Sequence, residues 1–489
     1  MANEPRTDDV AFKVEQRGID LTSDAERHGH PRELFMLWFA ANLVILGVVI
    51  GGVLMTFGLS LWEALVADVL GCASFFAIGA AAVPGARVGT ATLALSRAAF
   101  GVKGNIIPSA LSWITLVGWE TVSLIVSTYA FAELFHIVFG VAAGNVAVLI
   151  ISLAIAAFLT FGVTLLGHQT IVWVQTWATW IFGAVTLVVV IFLLSHFKAP
   201  TTLPKPVTGD AFTTFLLAMS VMFASTIFAW VNYAADYTRY LPKDTPARSI
   251  VFWNGLGAFI PGTILIGTGI LIGGLVNIAS AANPVTALVA IVPSWMVGPF
   301  LITAIVGMLT GNYLNSYSSG LSMQAMNVRL PRTRTVFIDA TLSILAALYA
   351  VVVFNFSGAF QSFLSLEVEW IASWSAIYIV DSWFRIRHGG YDREALFSWG
   401  GGAYWYSNGI NWATIGCWLL GSLGAFLFTN SALWASPLTK MWLGGADISV
   451  FVGFGVSALA YWLVLRAAYT RDTKLSGTSS VAESPIGMK

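Results

Sequence analysis

The feature that most constrains the fold is a series of long apolar stretches separated by short polar segments. A bilayer-spanning helix needs about twenty consecutive apolar residues, and the chain contains twelve such stretches, numbered here as spans 1 to 12. They cover residues 35–58, 62–83, 106–135, 145–166, 170–196, 212–235, 250–276, 295–327, 335–356, 360–384, 411–430 and 448–469. Only 10% of the residues are charged, well below the content of a soluble domain. The sequence therefore predicts an all-α integral membrane protein with twelve transmembrane helices.

The positions of the basic residues support this count. If the N-terminus is cytoplasmic, 21 of the 24 Lys and Arg residues fall on the cytoplasmic side, and only Lys198, Lys205 and Lys440 fall outside. Such an excess is the usual signature of cytoplasmic loops. A miscounted helix would invert every later loop and remove the asymmetry. We therefore expect a multi-pass protein of the plasma (inner) membrane with both termini in the cytoplasm.

Spans 1 and 6 share polar or small residues near mid-membrane, including Asn42 and Gly47 in the first and Thr226 and Asn232 in the second. Interrupted spans five helices apart are typical of an inverted repeat around a central site. We expect the N-terminal segment and the tail to be solvated and partly disordered. The predicted units are a cytoplasmic segment 1–33, a ten-helix core 34–384 with repeats of about 34–196 and 212–384, a cytoplasmic loop 385–410, helices 11 and 12 within 411–469, and a tail 470–489.

Span 3 carries one acid, Glu120, near its middle. An acid at the centre of a spanning helix costs roughly 2.5–3.5 kcal/mol, so it normally faces a cavity or a partner. Trp119 and Thr121 flank Glu120, and Trp113 shares its helical face. We interpret Glu120 as a group that binds a polar ligand, carries a coupling proton, or both. The alternative is a structural acid bonded to a neighbouring helix.

Span 8 contains a polar stripe on an otherwise apolar helix. Asn312, Asn315, Ser316 and Ser319 fall at i, i+3, i+4 and i+7, so they share one face. Lipid cannot satisfy such a face, which indicates a polar cavity. Hydrogen bonds between helices are the alternative, and these explain one or two such residues more readily than four.

Spans 6 and 10 supply further candidates. Phe228 and Trp230 lie beside the expected break in span 6 and are able to stack on a flat ligand, although aromatic packing is equally common. Asp236 is a candidate for gating, or else pairs with Arg239 at the helix end. Glu367 and Glu369 in span 10 are candidates for a gate or a proton path.

Catalytic and cofactor-binding motifs are missing from the sequence. There is no phosphate-binding loop, no HExxH and no GxSxG, and the two cysteines, Cys72 and Cys417, lie in separate apolar runs. We therefore expect no enzymatic activity, no cofactor and no bound metal. The absence of an ATP-binding motif favours transport driven by an ion gradient.

Four motifs together resemble the nucleobase–cation symporter-1 family, and within it the purine–cytosine permease branch. They are ERHGHPRELFMLWFAANLVILGVVIGG (26–52), AAFGVKGNIIPSALSWITLVGWET (98–121), AADYTRYLP (234–242) and GNYLNSYSSGLS (311–322). The resemblance implies a LeuT-like fold with two inverted five-helix repeats, broken helices 1 and 6, and two additional helices. It also implies alternating access around a site at mid-membrane.

The same resemblance implies how a ligand is held. Family members hold a flat heterocycle between aromatic residues of spans 3 and 6, and a polar side chain one turn further along span 3 bonds its edge. Glu120 matches that polar position, but Leu116 stands where the aromatic residue is expected, so Trp113 or Trp119 would replace it. Phe228 or Trp230 would serve in span 6. The implied polar contacts are Asn312, Asn315 or Ser316, and the predicted site also includes Asn42 and Thr121.

In sodium-coupled relatives, carbonyl oxygens of span 1 and oxygens of span 8 bind the cation. The matching positions are Ala40, Leu43, Gly307 and Thr310, but position 311, where a second hydroxyl is expected, is glycine. A cation needs enough oxygen ligands to replace its hydration shell, so this substitution favours protons over sodium.

The sequence thus predicts a secondary active importer of a nucleobase or related planar nitrogen heterocycle, coupled to protons or sodium. Its expected partners are this small substrate and membrane lipid, with no nucleic acid and no obligatory protein. An amino-acid or amine transporter on the same fold is the nearest alternative, because a carboxylate suits a cationic amine. A channel is a second alternative.

Overall fold

In a computed structural model, the regular secondary structure of the described residues is helical, apart from two isolated β-bridges. The structure describes residues 9–195, 205–273, 283–353, 356–431 and 434–479, without the side chains of 284, 353, 356–362, 364–366 and 469–479. Among these residues, nine helices are long and apolar enough to cross a membrane, and one bent pair forms a tenth span. The other two predicted spans, 10 and 11, correspond to helices of 32 and 16 residues.

The helices follow the order of the predicted spans, with short helices between them. They are α1 (Pro31–Ala41) and α2 (Leu46–Thr56) in span 1, α3 (Leu61–Ala73) and α4 (Phe75–Val88) in span 2, the short α5 (Thr92–Leu95) and α6 (Arg97–Phe100), α7 (Ile106–Phe139) in span 3, α8 (Val146–Leu166) in span 4, α9 (His168–Ser195) in span 5, α10 (Ala211–Ser225) and α11 (Ile227–Trp230) in span 6, α12 (Ala247–Ile272) in span 7, the short α13 (Pro284–Val289), α14 (Ser294–Ala325) in span 8, α15 (Arg332–Val353) in span 9, α16 (Phe356–Arg387) in span 10, α17 (Trp412–Leu427) in span 11, the short α18 (Pro437–Trp442), and α19 (Ser449–Ser479) in span 12.

Span 1 bends by 61° between α1 and α2. A helix end inside a membrane leaves carbonyl oxygens without backbone partners, and these need other donors. Here the Asn42 side-chain amide donates to the Trp38 carbonyl oxygen at 2.9 Å, and the Thr310 hydroxyl lies 2.8 Å from the Ala40 carbonyl oxygen. Side chains of the protein therefore satisfy the carbonyl groups freed by the break.

Span 6 loses its regular helical form at Thr226, whose backbone angles are φ −111° and ψ −92°. The chain then forms the short α11 and a 3-10 turn at Val231–Tyr233. The Thr226 hydroxyl lies 2.8 Å from the Ser74 hydroxyl, at the junction of α3 and α4. A hydrogen bond thus links the interruption of span 6 to the junction between α3 and α4 in span 2.

Helices α2 and α12 cross at glycine residues. A Cβ atom added to Gly51 would lie 2.0 Å from the Ile266 carbonyl oxygen, and one added to Gly269 would lie 2.1 Å from that of Val48. Small residues allow two membrane helices to approach this closely. This contact fixes the second half of span 1, α2, to span 7.

The N-terminal segment differs from the predicted solvated state. Within residues 9–30, Glu15 and Thr22 are buried, and the Thr22 amide donates to the Gly89 carbonyl oxygen at 2.7 Å. Composition indicated disorder here because it does not register contacts with distant parts of the chain. At the other end, α19 continues to Ser479, into the segment predicted as a tail, and residues 480–489 lie outside the described part. The side of the bundle covered by residues 9–30 is called the N-terminal side below.

Candidate functional site

A cavity lies between the interrupted parts of spans 1 and 6 and spans 2, 3, 7 and 8. Its volume is about 70 Å³, whereas one buried water needs on the order of 10–15 Å³. It is lined by Asn42, Val44, Leu46, Gly47, Ile50, Phe75, Trp119, Ser123, Ser225, Thr226, Ala229, Trp230, Tyr233, Gly262, Ile266, Met308, Gly311 and Asn315. An apolar wall with a few polar groups is typical of a small-molecule site.

Trp119 brings an indole ring from α7 into this cavity. Its Nε1–H donates to Glu367 of α16, whose carboxylate oxygens lie 3.0 and 3.2 Å away. Phe363 packs edge-on against the same ring, with 5.5 Å between centroids. Two contacts from span 10 therefore fix the orientation of the indole.

Trp230 brings a second indole ring to the cavity from the end of α11. It packs edge-on against Trp38 at 5.4 Å and contacts Tyr233 at 5.8 Å. The Tyr233 hydroxyl in turn donates to the Asn315 side-chain oxygen at 3.0 Å. An aromatic wall and an amide group are thus held in place together.

Glu120 lies outside this cavity, contrary to the expected position. Its carboxylate accepts hydrogen bonds from Ser319 of α14 at 2.7 Å and from Ser343 of α15 at 2.6 Å. The Ser319 hydroxyl also lies 2.8 Å from Asp339 of α15. Trp113, a predicted ligand contact, instead donates to Asp339 at 2.6 Å. The contacts thus match the alternative of an acid bonded to neighbouring helices.

Four other predicted contacts also lie outside the cavity lining. Asn312 donates to the Glu120 backbone oxygen at 3.4 Å, and Thr121 donates to the Val117 carbonyl oxygen of its own helix. Phe228 packs against Phe454 of α19. Ser316 is fully buried without a hydrogen-bond partner for its hydroxyl. Of the ten predicted substrate contacts, the cavity therefore brings together Asn42, Trp119, Trp230 and Asn315.

Comparison with known proteins identifies the family. Residues 22–453 match the family model described as a permease for cytosine/purines, uracil, thiamine, allantoin. The chain is a member of this permease family. It is a transporter rather than an enzyme, as the sequence predicted.

Similar proteins and structures agree with this membership. The permease is 29% identical to the putative purine-cytosine permease YxlA of Bacillus subtilis, over 93% of this chain and 96% of that one. It is 25% identical to the purine-cytosine permease fcyB of Emericella nidulans, over 92% and 88% of the two chains. Mhp1, a nucleobase-cation-symport-1 family transporter solved with bromovinylhydantoin bound, has a TM-score of 0.72 at 19% identity, over 93% of this chain and 96% of that one. The predicted family and LeuT-like fold are confirmed.

The aromatic and polar pair that lines the cavity in span 3 of the permease is Trp119 and Ser123. These residues are four apart, so they lie one turn apart on the same helical face. That is the spacing which the family resemblance implied for Leu116 and Glu120. The cavity lining thus shows this spacing three residues further along α7 than the match used in the sequence analysis, and Ser123 was not among the predicted contacts. The sequence carried a signal for it, a tryptophan followed four residues later by a hydroxyl.

The positions predicted for a sodium site do lie close together in the permease. The Thr310 hydroxyl is 2.8 Å from the Ala40 carbonyl oxygen and 2.9 Å from that of Gly307. A Cβ atom on Gly307 would lie 1.9 Å from the Leu43 carbonyl oxygen, so that oxygen is also adjacent. A side chain at Gly311 would extend towards the Ala41 carbonyl oxygen, 3.2 Å from its Cβ. Position 311, where the second hydroxyl was expected, thus lies beside the break in span 1.

A buried polar network ties the N-terminal segment to the chain after span 6 and to α14. Glu15 accepts hydrogen bonds from Tyr240 at 2.6 Å, from Tyr317 at 3.1 Å and from Arg239 at 3.3 Å. Arg239 is fully buried and also donates to the Gly18 carbonyl oxygen at 2.6 Å. This cluster, Glu15, Arg239, Tyr240 and Tyr317, is called the latch below.

Asp9 extends the contacts of the N-terminal segment to the start of α9. Its carboxylate lies 2.9 Å from Nδ1 of His168 and accepts the Gln169 amide at 3.0 Å. Burial alone would raise the pKa of Asp9, but the charge and hydrogen bond of His168 outweigh it, so the pKa lies below its ordinary value. Neither Asp9 nor Glu15 was identified from the sequence.

The remaining gating candidates have partners other than those expected. Asp236 accepts hydrogen bonds from the backbone amide and hydroxyl of Thr92, both at 2.8 Å. The predicted pairing of Asp236 with Arg239 does not form, because Arg239 pairs with Glu15. Glu369 accepts a hydrogen bond from Thr429, whereas Glu367 contacts the cavity through Trp119.

Proposed function

We propose that this permease is a secondary active importer of a nucleobase or related planar nitrogen heterocycle, of the cytosine and purine class. The observation that carries the proposal is the pair of indole rings, Trp119 and Trp230, which line one cavity together with Ser123, Asn42 and Asn315. Flat rings stack on indole faces, and each stacked base contributes about 1–3 kcal/mol. Hydroxyl and amide groups donate and accept hydrogen bonds, as the edges of such heterocycles require.

The cavity lining argues against a cationic amine as the substrate. That alternative depended on a carboxylate in contact with the ligand, and the Glu120 side chain bonds to Ser319 and Ser343 instead. Among the described residues that line the cavity, none is acidic. Neutral heterocycles fit this lining better than ammonium groups, which need a counter-ion when they are buried.

We propose proton coupling in preference to sodium coupling. Gly311 supplies no hydroxyl beside the Ala41 carbonyl oxygen, and the Thr310 hydroxyl already lies within hydrogen-bonding distance of two carbonyl oxygens. The N-terminal side carries Arg17, Arg27, Arg239 and Arg332, so by the positive-inside rule we assign it to the cytoplasm of a plasma membrane. No cofactor is required by this mechanism.

Uptake by the purified protein in liposomes tests the proposal. Cytosine, adenine, uracil, allantoin and hydantoin are compared with amines and amino acids while the sodium and pH gradients are varied separately. We expect accumulation of a heterocycle with an inward proton gradient alone. Accumulation of amines or amino acids only would refute the substrate class, and strict dependence on sodium would refute the coupling. A channel would show currents without counterflow exchange.

A matched set of tryptophan variants tests the site. Replacing Trp119 or Trp230 by alanine should weaken binding of the preferred heterocycle by roughly 10- to 100-fold, because one stacking surface is lost. Trp180 on α9 is 63% exposed, and Trp180→Ala is the control that should bind normally. Equal losses in all three variants would indicate a general defect rather than a stacking site.

A further inference from the structure

A second carboxylic acid lies beside Glu120 in a region that the substrate cavity does not include. The Ser319 hydroxyl oxygen is 2.7 Å from one carboxylate oxygen of Glu120 and 2.8 Å from one of Asp339. Both acids are fully buried. Ser319 of α14 therefore bridges an acid from α7 to an acid from α15.

A count of hydrogen atoms shows that this arrangement needs an added proton. A serine hydroxyl carries one hydrogen, so Ser319 can donate to only one of the two carboxyl groups. The other short contact is favourable only if that carboxyl group donates to the serine oxygen, and for this it must be protonated. Ser343 and Trp113 donate to the outer oxygens of Glu120 and Asp339, at 2.6 Å each. The Ser319 hydroxyl also lies 3.1 Å from the Ser316 carbonyl oxygen, a longer contact that competes for the same hydrogen. The two shorter contacts, to the acids, are both satisfied when the acids share one proton through Ser319.

No cation offsets the charge of these acids in the described part of the chain, where neither carboxylate forms an ion pair. Two unpaired carboxylates at this depth would be very costly, whereas one shared proton removes half of the charge. Other ionisable groups on the helices packed around the pair have partners of their own. These are Glu133 with Thr286, Glu367 with Trp119, Arg332 with the Thr164 carbonyl oxygen, His168 with Asp9, and Tyr317 with Glu15.

The acid pair is adjacent to the cavity on one side and to the latch on the other. Trp119 lines the cavity and directly precedes Glu120, and Asn312 contacts both the Glu120 backbone oxygen and Asn315. Asp339 lies seven residues after the start of α15, about 10 Å along the helix from the N-terminal side. Opening of that side would bring water towards Asp339, and hydration of the two carboxylates would favour release of the shared proton.

We propose that Glu120 and Asp339 together bind the proton that drives uptake, at a site bridged by Ser319 and separate from the substrate cavity. This assignment rests on the proposed proton-coupled transport. The proton binds to one carboxylate while the N-terminal side is closed and leaves to water when that side opens. Trp113 and Ser343 position the two acids, which is a role distinct from the substrate contact that the sequence suggested for Trp113.

Conservative amide variants test this site. In Glu120→Gln or Asp339→Asn, the new side-chain amide can donate a hydrogen bond to the Ser319 oxygen. The Ser319 hydroxyl then donates to the remaining carboxylate. The hydrogen bonds therefore persist without the added proton. We expect each variant in liposomes to retain counterflow exchange of cytosine or adenine but to lose accumulation driven by a pH gradient. Asp68→Asn is the matched control, because Asp68 is a buried acid of α3 that contacts Cys72. It should retain accumulation.

The outcomes separate this site from the proposed function. If the wild type exchanges neither base, the proposed substrate class fails; if it exchanges but never accumulates in response to pH, proton coupling fails. Gradient-driven accumulation in either amide variant would overturn the shared proton site, as would loss in Asp68→Asn alone. If an amide variant does not fold, Ser319→Ala tests the shared proton site instead, because both acids remain but the hydroxyl that bridges them is removed. The pH of half-maximal accumulation should then shift, and an unchanged profile would count against the site.

Discussion

The latch predicts that a single substitution in the N-terminal segment opens one side of the permease. Glu15 is the anionic partner of Arg239, and both side chains are almost fully buried. Replacing Glu15 by alanine leaves this guanidinium group buried without a counter-ion. Removing one partner of a buried ion pair costs about 3–5 kcal/mol. The closed arrangement bears this cost, whereas an arrangement that exposes Arg239 to water does not.

This energy corresponds to a large change in population. Each 1.4 kcal/mol is about a factor of ten, so 3 kcal/mol shifts the equilibrium towards the open arrangement by at least about a hundredfold. Ser318 reports on this change because it is fully buried on α14 and lies 3.2 Å from the Tyr237 hydroxyl. The two native cysteines, Cys72 and Cys417, are buried, so background reaction with a thiol reagent should be low.

The assay is the rate at which a water-soluble maleimide modifies Ser318→Cys from the N-terminal side. We expect Glu15→Ala to accelerate this reaction by about a hundredfold or more, within the limit set by the reagent itself. Asp24→Ala is the control, because the Asp24 side chain is 50% exposed and its ion pairs measure 3.3–3.9 Å. Ion pairs of exposed carboxylates contribute about 0–1 kcal/mol. A lower melting temperature without faster labelling would refute the gating role and leave the latch a structural contact.

Three further predictions follow from individual contacts. Gly307→Ala should severely reduce the amount of folded protein that elutes in size-exclusion chromatography, because the added Cβ would lie 1.9 Å from the Leu43 carbonyl oxygen. Gly298→Ala on the same helix is the control, because its Cβ meets nothing within 4 Å and should be tolerated. Glu367→Ala should raise the KM for uptake several-fold, because it releases the Trp119 indole. Glu367→Gln still accepts the hydrogen bond and should transport almost normally. An equal rise in KM in both variants would indicate that the charge of Glu367 matters instead. Asp9→Asn should lower the melting temperature near pH 5, and this effect should shrink below about pH 4. A carboxylate with a lowered pKa stabilises the fold above its unfolded pKa and loses this effect on acidification.

The spanning helices and the break in span 1 could be predicted because the membrane imposes simple rules on sequence. Apolar length defines a span, and Asn42 among small residues marks the point where a helix ends. The orientation of α7 could not be predicted in the same way. Trp113 and Glu120 mark one face and Trp119 and Ser123 mark another, and a buried helix has no polar side to distinguish them. Only packing against α14, α15 and α16 determines which face lines the cavity.

The latch lay beyond prediction for a different reason. Glu15 and Arg239 are 224 residues apart, and a charged residue in a polar N-terminal segment has no local pattern that identifies its partner. Arg239 was visible in the AADYTRYLP motif, but positive charge at a helix end already had a sufficient explanation in the positive-inside rule. The tertiary contact with Glu15 thus gives Arg239 a second role that its local sequence, although correctly interpreted, does not indicate.

Helix α14 joins the three parts of the proposed mechanism. Asn315 lines the cavity, Ser319 bridges the acid pair one turn further on the same face, and Tyr317 lies between them on the opposite face and binds Glu15. A rotation or tilt of this one helix would therefore alter the substrate contact, the shared proton and the latch together. Because the break in span 1 also rests on α14 through Thr310 and Gly307, movement of that span has a direct route to all three. Coupling in this permease then requires no long chain of contacts, only one helix with two functional faces.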